Sequence, residues 1–258
     1  MLLEDNIKRL IMYKIIILFT LTIHLLFSAT SEQVDQYMGL SHSDRALIEI
    51  EKMFNNVSES METSDENRST EMTLDYQIYI GKHISDDEMD ELLALYRKPI
   101  MQQYLNEMDM VEIPKEEMND FLNALKENPL STERQEIVDR LLKSSVNEEL
   151  LLNFYASMMQ RYQTKDENNQ TKKRESNSSK KVLTQEEQQF IDIMKTGIKQ
   201  DILYGTQVLS LEEMKKVNDL IESSVISKIK KVENKAIIEI MNNFIKSITS
   251  EPKTVEKK

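Results

Sequence analysis

A chain of 258 residues with four glycines and four prolines has few places to turn tightly. Sheet-built folds reverse direction often, and their turns draw on Gly for positive φ and on Pro for a fixed φ. Long helices joined by short connections need far fewer such residues. The scarcity selects an all-α architecture, and an apolar content of 40% can bury a sizeable core. Methionine is abundant, at 16 residues. Met favours helices and fills irregular core space, so these thioethers are read as packing rather than as soft-metal ligands.

Cysteine is absent, which excludes disulfides, thiolate nucleophiles, Cys-ligated zinc and iron–sulfur clusters together. The net charge of −12 opposes binding to phosphate backbones, so no nucleic acid is expected as a partner. The basic run Lys172-Lys173-Arg174 lies in a polar stretch and reads as solvated charge.

The first thirty residues read as an address. Lys8, Arg9 and Lys14 precede the apolar run Ile15–Phe27, and the small residues Ser28-Ala29-Thr30 follow. That is the order of a secretory signal peptide. The run has 13 residues, against ~20 for a membrane span. Cleavage after Thr30 puts Ser28 and Thr30 at the small-residue positions, and cleavage after Ser28 is a close alternative. A retained N-terminal anchor is the competing reading, and Met12 competes with Met1 as the start. No membrane span is expected after cleavage, and the location is periplasmic or secreted.

Residues 31–42 read as a loose polar lead-in. Leu47, Ile50, Phe54, Val57 and Met61 then recur at helical spacing, as do Met72, Tyr76, Tyr79 and Ile80, with Gly81 as the expected C-terminal cap. Ser85-x-x-Glu88, Thr132-x-x-Gln135, Thr184-x-x-Glu187 and Ser210-x-x-Glu213 are capping boxes, in which side chain and main chain satisfy each other's free donors. Pro99 should kink or end the helix begun at Ser85 near Lys98, Pro114 suits a first helical turn, and Asn128-Pro129 is a stop. Residues 164–182 lack any large apolar side chain except at the edge, and read as a disordered linker. The expected division is a signal peptide over 1–30, a helical repeat region over 31–163, the linker over 164–182, a second helical repeat region over 183–249 and a polar tail over 250–258.

Two stretches echo each other 125 positions apart. Tyr79 aligns with Tyr204, Ile84 with Leu209, Ser85 with Ser210, Glu88 with Glu213, Met89 with Met214 and Leu95 with Leu220. The expected fold is therefore an all-α multi-helix bundle built from two related helix-pair repeats, with a disordered loop between the halves.

The segment Ile78–Leu105 resembles the signature of the bacterial exported family called domain of unknown function 2059. Tyr79, Ser85, Glu88, Tyr96 and Pro99 match its pattern, whereas Lys98 and Met101 stand where the family has Ser and Gly. Ile202–Ala236 is similar to the C-terminal repeat of longer members, through Tyr204, Leu209, Ser210, Glu213, Glu222, Ser223 and Asn234-Lys235-Ala236. The resemblance implies an exported helical protein and no particular chemistry.

No catalytic residue, cofactor or metal is expected. The mature chain has His42 and His83 only, and the weak pair His83-x-x-Asp86 falls in a turn and cap. No nucleophile elbow or phosphate-binding glycine loop occurs. The acid pairs Asp86-Asp87, Glu116-Glu117 and Glu186-Glu187 sit where helix dipoles favour negative charge. Asn56, Asn67, Asn169 and Asn177 head glycosylation sequons, which matter only in a eukaryotic host. The reading is a non-enzymatic envelope module that binds a protein or an apolar ligand, with a groove between the two copies marked by Tyr79, His83, Tyr96 and Tyr204. The alternative is a hydrolase-like enzyme using carboxylates with Tyr96 or Tyr204 in that groove. It requires acids from distant segments to converge on a tyrosine of perturbed pKa.

Overall fold

A computed structural model describes residues 28–43, 47–48, 68–109, 113–163 and 183–250. Most of the leader, the stripe from Ile50 to Met61, the linker over 164–182 and the tail after Ser250 lie outside the described residues. Within them the protein is all-α, a multi-helix bundle of ten helices without a named strand. These are α1 (Ser31–Ser41), α2 (Arg68–His83), α3 (Asp86–Tyr96), α4 (Pro99–Met108), α5 (Lys115–Glu127), α6 (Thr132–Ser145), α7 (Glu148–Gln163), α8 (Gln185–Gly205), α9 (Leu211–Ile221) and α10 (Ser224–Ser250). They fall into two compact units, Met1–Tyr96 and Arg97–Lys258.

In the first unit α1 packs on both α2 and α3. The expected lead-in over 31–42 is instead this helix. Thr30 caps it, its side chain accepting from the Gln33 amide at 3.2 Å while Gln33 Oε1 accepts from the Thr30 amide at 2.8 Å. Val34, Tyr37 and Met38 form a short stripe that is fully buried, and tertiary packing supplies what so short an apolar pattern does not. His42 ends the helix in the left-handed region, at φ 59°. Tyr76 and Ile80 of α2 and Met89, Leu92 and Leu93 of α3 complete the core. Tyr37 meets Tyr96 edge-on, with centroids 5.4 Å apart.

Gly81 does not cap α2, which continues to His83. A Cβ at Gly81 would lie 3.4 Å from the Ala29 carbonyl oxygen, so the glycine serves the approach of another segment. The Ala29 amide donates to the Ile84 carbonyl at 2.9 Å, and Ser28 pairs with Ser85 in an isolated bridge.

In the second unit α8 lies against α4, α6 and α7, and α9 against α4, α6 and α10. Pro99 begins α4, as its missing amide donor allows at a first helical position. Pro114 is the cap residue of α5, and Asn128 ends that helix. The cap of α6 is Ser131, one residue before Thr132: its side chain accepts from the Arg134 amide at 3.3 Å. After Ser210 the chain forms two helices, α9 and α10, broken at Glu222–Ser223. The core is Ile137, Val138, Leu141, Ile191, Ile202, Met214, Val217, Ile226 and Ile229, among others. Ion pairs Lys195–Glu148 (2.6 Å), Lys199–Asp139 (2.7 Å) and Lys215–Glu133 (2.6 Å) link exposed faces of neighbouring helices. Such exposed pairs contribute ~0–1 kcal/mol each.

The linker expected over 164–182 lies outside the described residues, and the two compact units meet between Tyr96 and Arg97. Helices α6 and α7 come before the linker and α8 follows it, yet both pack on α8. A polar stretch marks a boundary only when the helices beside it do not share a core.

Candidate functional site

The residues expected to mark a groove have separate settings. Tyr79 and His83, one turn apart on α2, stack with centroids 4.1 Å apart. His83 Nδ1 lies 2.8 Å from the Tyr79 carbonyl oxygen, to which it donates. Asp86 accepts from Gln33, so the pair His83-x-x-Asp86 is divided between two other partners. Tyr96 is buried against Tyr37 as core. Tyr204 belongs to the second unit and has its own neighbours there.

Tyr204 closes the last turn of α8. Its hydroxyl donates to Glu117 Oε1, and its ring meets Phe121 edge-on at 5.2 Å. Glu117 and Phe121 are on α5, so one tyrosine fastens α5 to α8. The hydrogen bond to Glu117 raises the phenol above its ordinary value, assisted by desolvation and by the carboxylate charge, against a smaller opposing hydrogen bond to Gln207. The core phenol of Tyr104 is pushed up to about 12 by burial.

Beside this contact, α4, α5 and α8 line an open cleft of about 570 Å³. Met108, Ile113, Met118 and Leu122 supply apolar wall, and Glu107, Asp201 and Lys115 supply charge. The space follows from how α5 sits. Its Met118, Phe121, Leu122 and Leu125 form a clear apolar stripe, yet no residue of α5 is fully buried. Gly205 permits the approach of α4, since a Cβ there would lie 2.8 Å from Met108 Sδ.

Asp201 is the unusual group. Its side chain is exposed at the mouth of this cleft, while partial desolvation by its surroundings raises its carboxyl above the ordinary value. Among the described residues no hydrogen bond or ion pair compensates it. Neither Asp201 nor the cavity is apparent from the sequence alone. The available signal is an acid one step from the apolar stripe Ile198–Ile202 on α8. Glu117 reads as an ordinary first-turn acid, and its tyrosine partner lies 87 residues away.

Among the described residues no group of three or more His, Cys, Asp and Glu side chains could hold a metal ion, and no helix is long and apolar enough to cross a membrane. No family model, curated protein or solved structure matches the chain.

Proposed function

We propose that the chain is an exported helical module of a bacterial envelope that holds a small amphipathic ligand with a cationic end and does no chemistry on it. The observation that carries this reading is geometric: the exposed Asp201 carboxylate and Glu107 line a cleft whose apolar wall is Met108, Ile113, Met118 and Leu122, with Lys115 as the cation among its lining residues. A cation seated there meets two carboxylates, Asp201 and Glu107, against one ammonium. The volume falls within the range of about 300–1,000 Å³ typical of small-ligand sites. The net charge of −12 concentrates cations around the chain. The leader-like first thirty residues and the resemblance to the exported family support the compartment. The two helix pairs, α2–α3 and α8–α9, each joined by a short turn with a Ser-x-x-Glu cap, support a duplicated origin.

Calorimetric titration tests the ligand reading, with hexylammonium, hexanoate and hexanol as probes. Hexylammonium should saturate, and Asp201→Asn should weaken it about tenfold, the equivalent of ~1.4 kcal/mol. Equal binding of all three probes, or of hexylammonium to both proteins, refutes the cation site.

The convergence of Glu117 and Tyr204 favours a second reading, an enzyme that uses them as an acid–base pair. The direction of the phenol shift speaks against it. A phenol raised above its ordinary value keeps its proton at neutral pH and is a poor base or acid there. Tyr204→Phe should leave any hydrolysis of ester, glycoside and phosphoester probes unchanged, and a loss of turnover would restore the enzyme.

A further inference from the structure

We propose that a signal peptidase hydrolyses the Ser28–Ala29 peptide bond, so that the mature first unit begins at Ala29. This rests on the export reading above. Water adds across the bond: Ser28 departs with the leader as its carboxylate, and Ala29 gains an α-ammonium group.

Most of what the fold uses at this junction lies on the Ala29 side of the bond; Ser28 adds only its isolated bridge to Ser85. Ala29 is 8% exposed, and its amide donates to the Ile84 carbonyl at 2.9 Å. Gly81 gives the Ala29 carbonyl its space. Thr30 is the cap of α1, bound reciprocally to Gln33. Gln33 in turn donates to Asp86 and, at 3.0 Å, to Asp90, so the capping box also ties α1 to α3. Cleavage after Thr30 removes the cap side chain, the Ala29 hydrogen bond and the packing at Gly81 together, leaving the first amides of α1 without their acceptor.

Cleavage after Ser28 keeps all three and gives up only the isolated Ser28–Ser85 bridge. The new ammonium still donates toward the Ile84 carbonyl, now with charge assistance. Ile84 directly follows the last turn of α2, where the helix dipole presents its negative end. The cation made by processing thus falls where a helix end favours one. Ser28 supplies the small residue directly before the scissile bond, while Leu26 stands at the second position of the A-x-A-like pattern, which the Thr30 cut would fill with Ser28.

The full chain, expressed in a bacterium with intact export machinery, is recovered from the periplasm for intact mass and N-terminal sequencing. The expected first residue is Ala29. A chain beginning at Ser31, or at any other processed residue, overturns the junction and leaves export standing. A full-length chain retained inside the cell overturns both. The structural reason is tested on chains released from a cleavable fusion at Ala29 and at Ser31. Deuterium exchange in α1 should be about fivefold faster for the Ser31 start, as loss of a helix cap implies. Equal exchange removes the argument for the junction.

Discussion

The Arg134 guanidinium donates to the Leu209 carbonyl at 3.0 Å, across 75 residues of sequence. A second guanidinium nitrogen donates to the Thr206 carbonyl, so one side chain clasps both ends of the turn between α8 and α9. The first unit solves the same problem with main chain, where Ala29 donates to Ile84 in the turn between α2 and α3. In each case the donor comes from the N-terminal end of a helix packed on the pair, α6 in one and α1 in the other.

Arg134→Met should therefore destabilise the second unit by about 2 kcal/mol, the scale of hydrogen bonds to a charged group. Burial lowers the Arg134 pKa, but the guanidinium remains charged at any working pH, so the loss should not vary with neutral buffer. Urea unfolding followed by circular dichroism gives the midpoint. An unchanged midpoint would show that the turn is held by its helices alone.

Asn218→Leu should stabilise the second unit by about 1 kcal/mol. Asn218 is completely buried on α9, and neither its amide nitrogen nor its oxygen has a hydrogen-bond partner among the described residues. Leu93 stands at the echoing position on α3 and is buried without such a cost. Replacing an unsatisfied amide by an apolar group of similar size removes the penalty. A lower thermal midpoint in the variant would reveal a partner for Asn218.

Lys230 gives a pH dependence with a definite sign. Burial lowers its pKa below the ordinary 10.5, against an opposing contribution from Glu233, while its ammonium reaches the Ser144 carbonyl at 3.3 Å. Between the folded value and 10.5 the unfolded chain binds more protons, so this site makes stability rise with pH across that window. Lys230→Met removes the dependence. Its stability relative to the parent should be greatest at neutral pH, by on the order of 1 kcal/mol, and should decline as pH rises through the window. A constant difference from neutral to alkaline pH would contradict the assignment.

Glu117→Gln should bring the Tyr204 titration down toward the ordinary tyrosine value, because the largest contribution to its upward shift is the hydrogen bond to that carboxylate. Ultraviolet difference titration against a Tyr204→Phe background isolates the signal. A midpoint that does not move would mean that α5 is not fastened there in solution.

Much of the fold is legible in local chemistry. The caps at Ser85, Thr184 and Ser210, the start at Pro99 and the stop at Asn128 each depend on a few adjacent residues. The departures come from contacts that local spacing does not encode. Helix α1 depends on three apolar residues finding α2 and α3, and Gly81 is explained by Ala29 rather than by its own turn. The cavity is less legible still. It forms where α5 leaves its apolar stripe half-buried, and Asp201 acquires its character only from what surrounds it. Tyr79, Tyr96 and Tyr204 are alike in pattern, yet they become a stacked surface ring, a core ring and an interhelix fastener.

All the sulfur in this chain is thioether, and much of it is sealed away: Met89 and Met214 have no exposed surface, and Met101 and Met241 almost none. Met159, at 38% exposure, is open to solvent. Under peroxide the described sulfurs should therefore oxidise in layers, with Met159 first among them and the sealed ones only when their helices part. The order in which sulfoxides accumulate becomes a record of how often each unit opens, kept in the protein's own covalent structure.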